Sequence, residues 1–273
     1  MDFEPLRRDV RSSMTLELSG ATEFVLTSLP ARGVPVQTEQ LTVTLDGHPL
    51  EMRELGEDPS TRLTLFHALP ASGSGTVTID YCARMIGRAQ PAVVCATDPI
   101  VFLRPSRYVP SDSLQPFARE TFAPLDAASL VRAVSTWVFE RLAYVPEASS
   151  PTGGAVETLA AGAGVCRDFA HVTAALLRAL DVPARLVSVY APQLVPMDFH
   201  AVVEAIVEGR WVVVDSTRLA PRSAMVRMAT GRDATDTAFL TNTVNDIRLL
   251  RLSVDATASE RFEDDPDELV QLG

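Results

Sequence analysis

Residues 162–190 read GAGVCRDFAHVTAALLRALDVPARLVSVY, and residues 198–217 read DFHAVVEAIVEGRWVVVDST. In the first stretch Val165, Phe169, Val172, Leu176 and Leu180 recur at the spacing that lines one stripe of a helix. Asp181-Val182-Pro183 ends that helix, because a residue before proline is pushed toward extended backbone. Strands are then predicted over Ala184 to Tyr190, His200 to Val207 and Trp211 to Asp215. Between the last two, Glu208-Gly209 reads as a two-residue hairpin turn. Helices before an antiparallel sheet predict an α+β domain.

The hairpin register has a chemical consequence. A two-residue loop pairs residue 207 with 210, and hence 202 with 215 and 200 with 217. His200 and Val202 share a face, so Asp215 is the diagonal neighbour of His200. Diagonal neighbours lie about 7 Å apart or less at Cβ, within reach of an imidazole–carboxylate hydrogen bond. Cys166, after Ala161-Gly162-Ala163-Gly164-Val165, opens the helix. A helix N-terminus carries unpaired N–H groups and partial positive charge that favour a thiolate. Taken alone, such a cysteine is more often a buried small hydrophobe, a lone strand histidine is more often inert, and Asp215 beside Ser216 and Thr217 is more often a turn former. Together they form the nucleophile, base and orienting group that thiol catalysis requires.

Upstream, a helix is predicted from Ala127 to Leu142 with Asp126 as N-cap. The stretch DPIVFLRPSRYVPSDSLQP, residues 98–116, holds four prolines and reads as an extended connector. Before it, Met14-Leu16-Leu18, Leu41-Val43-Leu45 and Val77-Ile79-Tyr81 alternate with period two, predicting an antiparallel β-sandwich. Downstream, Ile247 to Val254 reads as a strand and ERFEDDPDEL as a solvated acidic tail. The division expected is a β-sandwich domain over 1–97, a Pro-rich connector over 98–118, a catalytic domain over 119–254 and an acidic tail over 255–273.

Composition narrows the classes. The chain has 273 residues, 47% hydrophobic and 22% charged, enough for a sizeable core. Its formal charge of −11 argues against a nucleic-acid surface, which needs clustered cations. No stretch approaches the roughly 20 apolar residues of a membrane span, and the start MDFEPLRRDVRSSM lacks the apolar core of a secretory signal. A cytoplasmic protein without membrane partners is expected. All 24 basic residues are arginine, so no side-chain primary amine is present. Cys82, Cys95 and Cys166 are an odd, sparse set that implies neither a disulfide framework nor a zinc site. With no phosphate loop, HExxH or acidic metal cluster, no cofactor is implied.

The two quoted stretches, with their order of Cys, His and Asp, resemble the transglutaminase-like superfamily, a papain-related thiol group. The connector FLRPSRYVPSD, the stretch TGRDATDTAFLTN and the β-rich start are similar to its bacterial two-domain branch. The resemblance implies an N-terminal β-sandwich followed by a core in which a helix carrying Cys packs on a sheet carrying His and Asp. It implies a catalytic triad of Cys166, His200 and Asp215 acting on a peptide or amide substrate. That branch is discussed as protease-like, so a cysteine peptidase or amidase is expected. An amine acceptor would make it a transglutaminase, and a non-catalytic peptide-binding module is the reading from another class. Members are often encoded near ATP-grasp-type ligases, which implies peptide-like substrates. Papain-like sites add a side-chain donor for the oxyanion. No Gln precedes Cys166 suitably and Trp137 belongs to a helix stripe, leaving Tyr144 as the candidate donor. His171, Arg167, Cys82, Cys95, His48 and His67 read as packing or surface residues, with Cys95 expected to be packed and Arg167 in a surface salt bridge.

Overall fold

The computed structural model describes residues 5–56, 63–67, 73–122, 124–242 and 247–273, with side chains throughout except at 63–67. In chain order the strands are β1 (Arg7–Ser19), β2 (Glu23–Leu26), β3 (Val36–Leu45), β4 (His48–Pro49), β5 (Met52–Leu55), β6 (Leu63–His67) and β7 (Ser74–Ile86). Three helices follow, α1 (Asp98–Val101), α2 (Ser111–Thr121) and α3 (Ala127–Arg141), and then β8 (Ala143–Tyr144), α4 (Ala155–Ala161), β9 (Ala163–Gly164) and α5 (Cys166–Ala179). The chain ends with β10 (Ala184–Tyr190), β11 (Phe199–Val207), β12 (Arg210–Val214), β13 (Val226–Gly231), α6 (Ala234–Thr237), β14 (Leu240–Asn242) and β15 (Ile247–Ala258).

Two sheets form the β-sandwich, ordered β15-β1-β7-β3-β4 and β14-β2-β6-β5. Along β1 and β7 alternate residues are buried, as the period of two requires. Val10, Met14, Leu16 and Leu18 of β1 meet Phe24, Leu26, Val77 and Ile79 in one core, which continues into Tyr190, Phe199, Val226 and Met228. The sandwich is therefore fused through shared apolar packing to the third sheet, β12-β11-β10-β13.

Helix α5 is the spine of the second half. Twelve of its fourteen residues are buried, the signature of a helix enclosed on every side. It packs between α2, α3 and α4 and the strands β10 and β11. Its alanines, Ala170, Ala174, Ala175 and Ala179, are all buried. Their small side chains let neighbouring backbones approach closely. Arg178 on its last turn is buried and binds the carbonyls of Arg104, Ala184 and Arg232, which clamps the helix to the connector.

Three expectations are corrected. Residues 98–118 are not an extended connector: α1 and the start of α2 lie within them. Pro99 occupies the first turn of α1, where its missing N–H costs nothing, and α2 tolerates Pro116 internally. A boundary at 119 would cut α2. Strand β15 does not join the catalytic sheet; it pairs antiparallel with β1, from Arg8 opposite Ala258 to Leu18 opposite Ile247. Nor is 255–273 a free tail. Arg222 binds the Asp264 carboxylate and the carbonyls of Asp265 and Glu268, Arg132 binds the Asp267 carbonyl, and Val213 N–H donates to Val270 O. The buried Arg222 and the half-buried Arg132 on the catalytic half thus bind the acidic segment down.

Candidate active site

Cys166 is placed by a short chain of local constraints. Helix α4 stops at Gly162, whose φ of 67° is the left-handed conformation that glycine adopts without strain. Residues 163–164 then pair in parallel with β8, Ala143 opposite Ala163 and Tyr144 opposite Gly164. The Val145 N–H donates to Gly164 O at 2.9 Å. At Gly164 a Cβ would lie 2.6 Å from the Asp168 Cβ, so no larger residue fits. Asp168 Oδ2 accepts from Val165 N–H at 2.9 Å and caps α5. The first residue of that helix is Cys166, partly exposed.

His200 and Asp215 arrive from the sheet. The register is the one a two-residue turn dictates: Val207 pairs with Arg210 and Val203 with Val214. Glu208 and Gly209 have φ of 49° and 73°, the mirror-image turn that matches strand twist. Asp215 follows the last residue of β12, and its Oδ2 lies 2.8 Å from His200 Nε2. Asp215 Oδ1 is held separately, by Thr217 N–H at 2.9 Å and by the Thr217 hydroxyl at 2.7 Å. Ser216 Oγ meets Thr173 Oγ1 at 2.7 Å, tying this turn to α5.

Both members of the pair are buried, His200 at 2% and Asp215 at 5% exposure. Burial lowers the basicity of His200, but the adjoining Asp215 charge, its hydrogen bond and contact with Cys166 together push the imidazole up to about 10. Burial likewise raises the Asp215 carboxyl, and the imidazolium and Thr217 hold it below its ordinary range. The Cys166 sulfur lies near enough to add to that upward push on His200. Since Nε2 is taken by Asp215, Nδ1 is the ring nitrogen left for the sulfur.

Tyr144 approaches the thiol from β8, where it pairs with Gly164, two residues before Cys166. It is 42% exposed, tilts against Phe169 with ring centroids 5.9 Å apart, and lies near enough to Cys166 to feel its charge. Burial of the ring, followed by the Cys166 charge, raises its phenol to about 12, so it remains a donor at neutral pH. Asp198, unremarked in the sequence, also belongs here: its charge acts on Tyr144 and on His200. Its position two residues before His200 was the signal that could have found it.

Other residues have other work. His171 is fully buried and stacks on Tyr108 with ring centroids 5.2 Å apart. Its Nε2 accepts from Ala234 N–H, and burial, with Arg167 next, lowers it to about 3. It is a neutral packing residue. Arg167 binds the carbonyls of Ser150 and Gly153 and lies over Tyr108, holding the loop before α4, and its ion pair with Asp168, at 4.0 Å, is largely buried rather than on the surface. Cys82 is half-buried on β7, His48 is exposed, and Cys95 is exposed rather than packed, because the segment around it forms no regular element. A cavity of about 870 Å³ between the sandwich, α1 and β13 contains none of Cys166, His200 and Asp215. Several arginines line it, but Arg185 and Arg227 are paired with Glu204, Arg232 with Asp236 and Arg32 with Glu54. Among the described residues no three His, Cys, Asp or Glu side chains group to hold a metal ion, and no helix is long and apolar enough to cross a membrane.

Comparison with known proteins agrees with this geometry. The profile described as the transglutaminase-like superfamily matches residues 116–216, a span that contains all three residues of the cluster. A crystal structure of a candidate cysteine protease from Cytophaga hutchinsonii superposes with a TM-score of 0.86 at 30% identity, covering 98% of this chain and 96% of that one. An uncharacterized protein of Mycobacterium leprae is 27% identical over 145 residues, half of this chain and 52% of that protein's length. The periplasmic domain of TgpA from Pseudomonas aeruginosa is a distant likeness, with a TM-score of 0.37 and 18% identity over 80% of this chain and 90% of that one. The full-length match supports a cysteine-based catalytic role. The chain belongs to the transglutaminase-like superfamily.

Proposed function

We propose that this protein is a thiol hydrolase that cleaves a peptide or carboxamide bond through Cys166, His200 and Asp215. The observation that carries the reading is the buried His200–Asp215 bond of 2.8 Å beside a thiol at the head of α5. In this mechanism the resting proton sits on His200, which the Asp215 charge favours. Cys166 Sγ attacks the carbonyl carbon, and the electron pair of the C=O bond moves onto oxygen. The Tyr144 hydroxyl and the Cys166 N–H donate to that oxyanion. His200 passes its proton to the leaving nitrogen, the C–N bond breaks, and a thioester remains. Water then gives a proton to His200 and attacks the thioester, releasing the acid and the sulfur. Asp215 keeps the ring oriented throughout and stabilises its charged form.

Hydrolysis rather than amine transfer is supported by the candidate cysteine protease that matches over the whole chain. A cytoplasmic location is part of the proposal, supported by three cysteines that all stand free. The deciding experiment incubates the protein with a peptide library and a labelled alkylamine at graded concentration. Free acid should dominate at every concentration, and Cys166→Ala should abolish it. An amine adduct that rises, saturates and displaces the acid would make the enzyme a transglutaminase. The absence of lysine keeps self-labelling low.

A further inference from the structure

Asp198 carries a charge that the proposed mechanism does not use. It precedes β11 by one residue and His200 by two, so it stands beside the base that handles the leaving nitrogen. The side chain is exposed, and its Oδ1 accepts from Phe199 N–H at 2.7 Å, which fixes the carboxylate in direction. Among the described residues no arginine pairs with it, and the chain has no lysine to do so. The loop that delivers it is anchored rather than free. Gln193, at φ 73°, exchanges two hydrogen bonds with the Phe262 backbone, Nε2 to O at 3.0 Å and N–H to Oε1 at 2.8 Å. This is one task of the acidic C-terminal segment: it holds the loop that ends in Asp198.

Among the described residues Asp198 faces the His200 imidazolium but is paired with no arginine, so this exposed carboxylate can take a further cation from outside. We propose that Asp198 is the residue that sets substrate choice, selecting amides whose leaving-amine side bears a positive charge. The proposal rests on the thiol-hydrolase reading for the word substrate, but the field of Asp198 at Cys166 can be measured without turnover. A cationic group docked there would lie next to His200 while the sulfur attacks. The same field would disfavour substrates with a carboxylate on that side. It is a specificity residue and not a catalytic one, since it takes no proton and contacts no reacting atom in the mechanism above.

The test has two arms. In the first, Cys166 is modified with methanethiosulfonates bearing a trimethylammonium or a sulfonate group. The thiolate attacks the sulfenyl sulfur and expels methanesulfinate, and the Cys166 peptide is followed by mass spectrometry. The cation-to-anion rate ratio in the wild type should exceed that of Asp198→Asn by about three- to fivefold at low salt, and the excess should vanish at about 1 M salt. In the second, matched acyl peptides carry lysine or norleucine immediately after the scissile bond. The wild type should cleave the lysine peptide with kcat/KM about three- to fivefold higher, mostly through KM, and Asp198→Asn should cleave both alike. Equal rate ratios in the first arm, or charge-blind cleavage that still depends on Cys166, would overturn the role of Asp198 alone. Cleavage unaffected by Cys166→Ala would overturn the hydrolase reading, whatever the reagent ratios show.

Discussion

Replacing Asp215 by Asn removes the charge that keeps His200 protonated while leaving the shape of the site nearly unchanged. The Thr217 N–H and hydroxyl bonds go to Oδ1, and an amide oxygen accepts them equally, so the turn after β12 should survive. What is lost is the charge-assisted bond of 2.8 Å from Oδ2 to Nε2. His200 is lifted from 6.5 to about 10 although burial opposes the rise. At about 1.36 kcal/mol per pKa unit, that lift caps the pair at roughly 5 kcal/mol, the top of the ~3–5 kcal/mol range for breaking a buried ion pair. The folded pKa of His200 lies above its unfolded value of 6.5, so its stabilisation is complete below pH 6.5 and fades as pH rises through about 10. Asp215 lies below 3.8, so the same pair persists in acid until the pH falls beneath that value. Wild type should therefore exceed Asp215→Asn by about 3 kcal/mol at pH 6, with the gap closing toward pH 10. Urea melts at pH 6, 8 and 10 measure the gap, and ¹⁵N NMR of the imidazoles follows His200 directly. Burial without its carboxylate should drop the His200 pKa of the variant below 6.5. A wild-type His200 that titrates near 6.5, or a stability gap independent of pH, would refute the reasoning.

Three further outcomes are expected. His171, depressed to about 3 by burial, stabilises the fold fully above pH 6.5 and progressively less as pH falls. His171→Gln should thus lose about 2 to 3 kcal/mol less than wild type between pH 7 and 4.5 in urea titrations. Tyr144→Phe should lower kcat by about 10- to 100-fold with KM little changed and a thermal midpoint close to wild type, because it deletes a donor to the oxyanion and little packing. Iodoacetamide at pH 6 to 7 should alkylate Cys166 before Cys82 and before the exposed Cys95. Labelling of Cys95 first, read by peptide mass spectrometry, would mean that exposure and not the His200 pair governs reactivity.

The histidine–carboxylate pair was legible because its determinants are local. A two-residue turn fixes the register of β11 and β12, and parity alone then brings residues 200 and 215 to one face. The start of α5 was equally legible, since a periodic stripe preceded by glycines places Cys166 at its first turn. The helices inside residues 98–118 were misread because four prolines weigh heavily in a propensity argument. Proline is nonetheless compatible with the first turn of a helix, and tertiary packing against α5 supports the rest of α2.

Sequence alone determined the fold class, the helix that opens at Cys166 and the hairpin that brings His200 to Asp215, the last two from spacing within about fifty residues. Tertiary structure decided what depends on partners far along the chain. Alternation identifies β15 as a strand but cannot say that its edge belongs to β1, more than two hundred residues earlier, because period two encodes faces and not neighbours. The approach of Tyr144 to Cys166 hangs on a parallel pair of two-residue strands, too short to leave a periodic trace. The acidic terminal segment looked solvated because its composition is charged. Arg222 and Arg132 turn it into a clasp, and only the folded chain brings those cations to it.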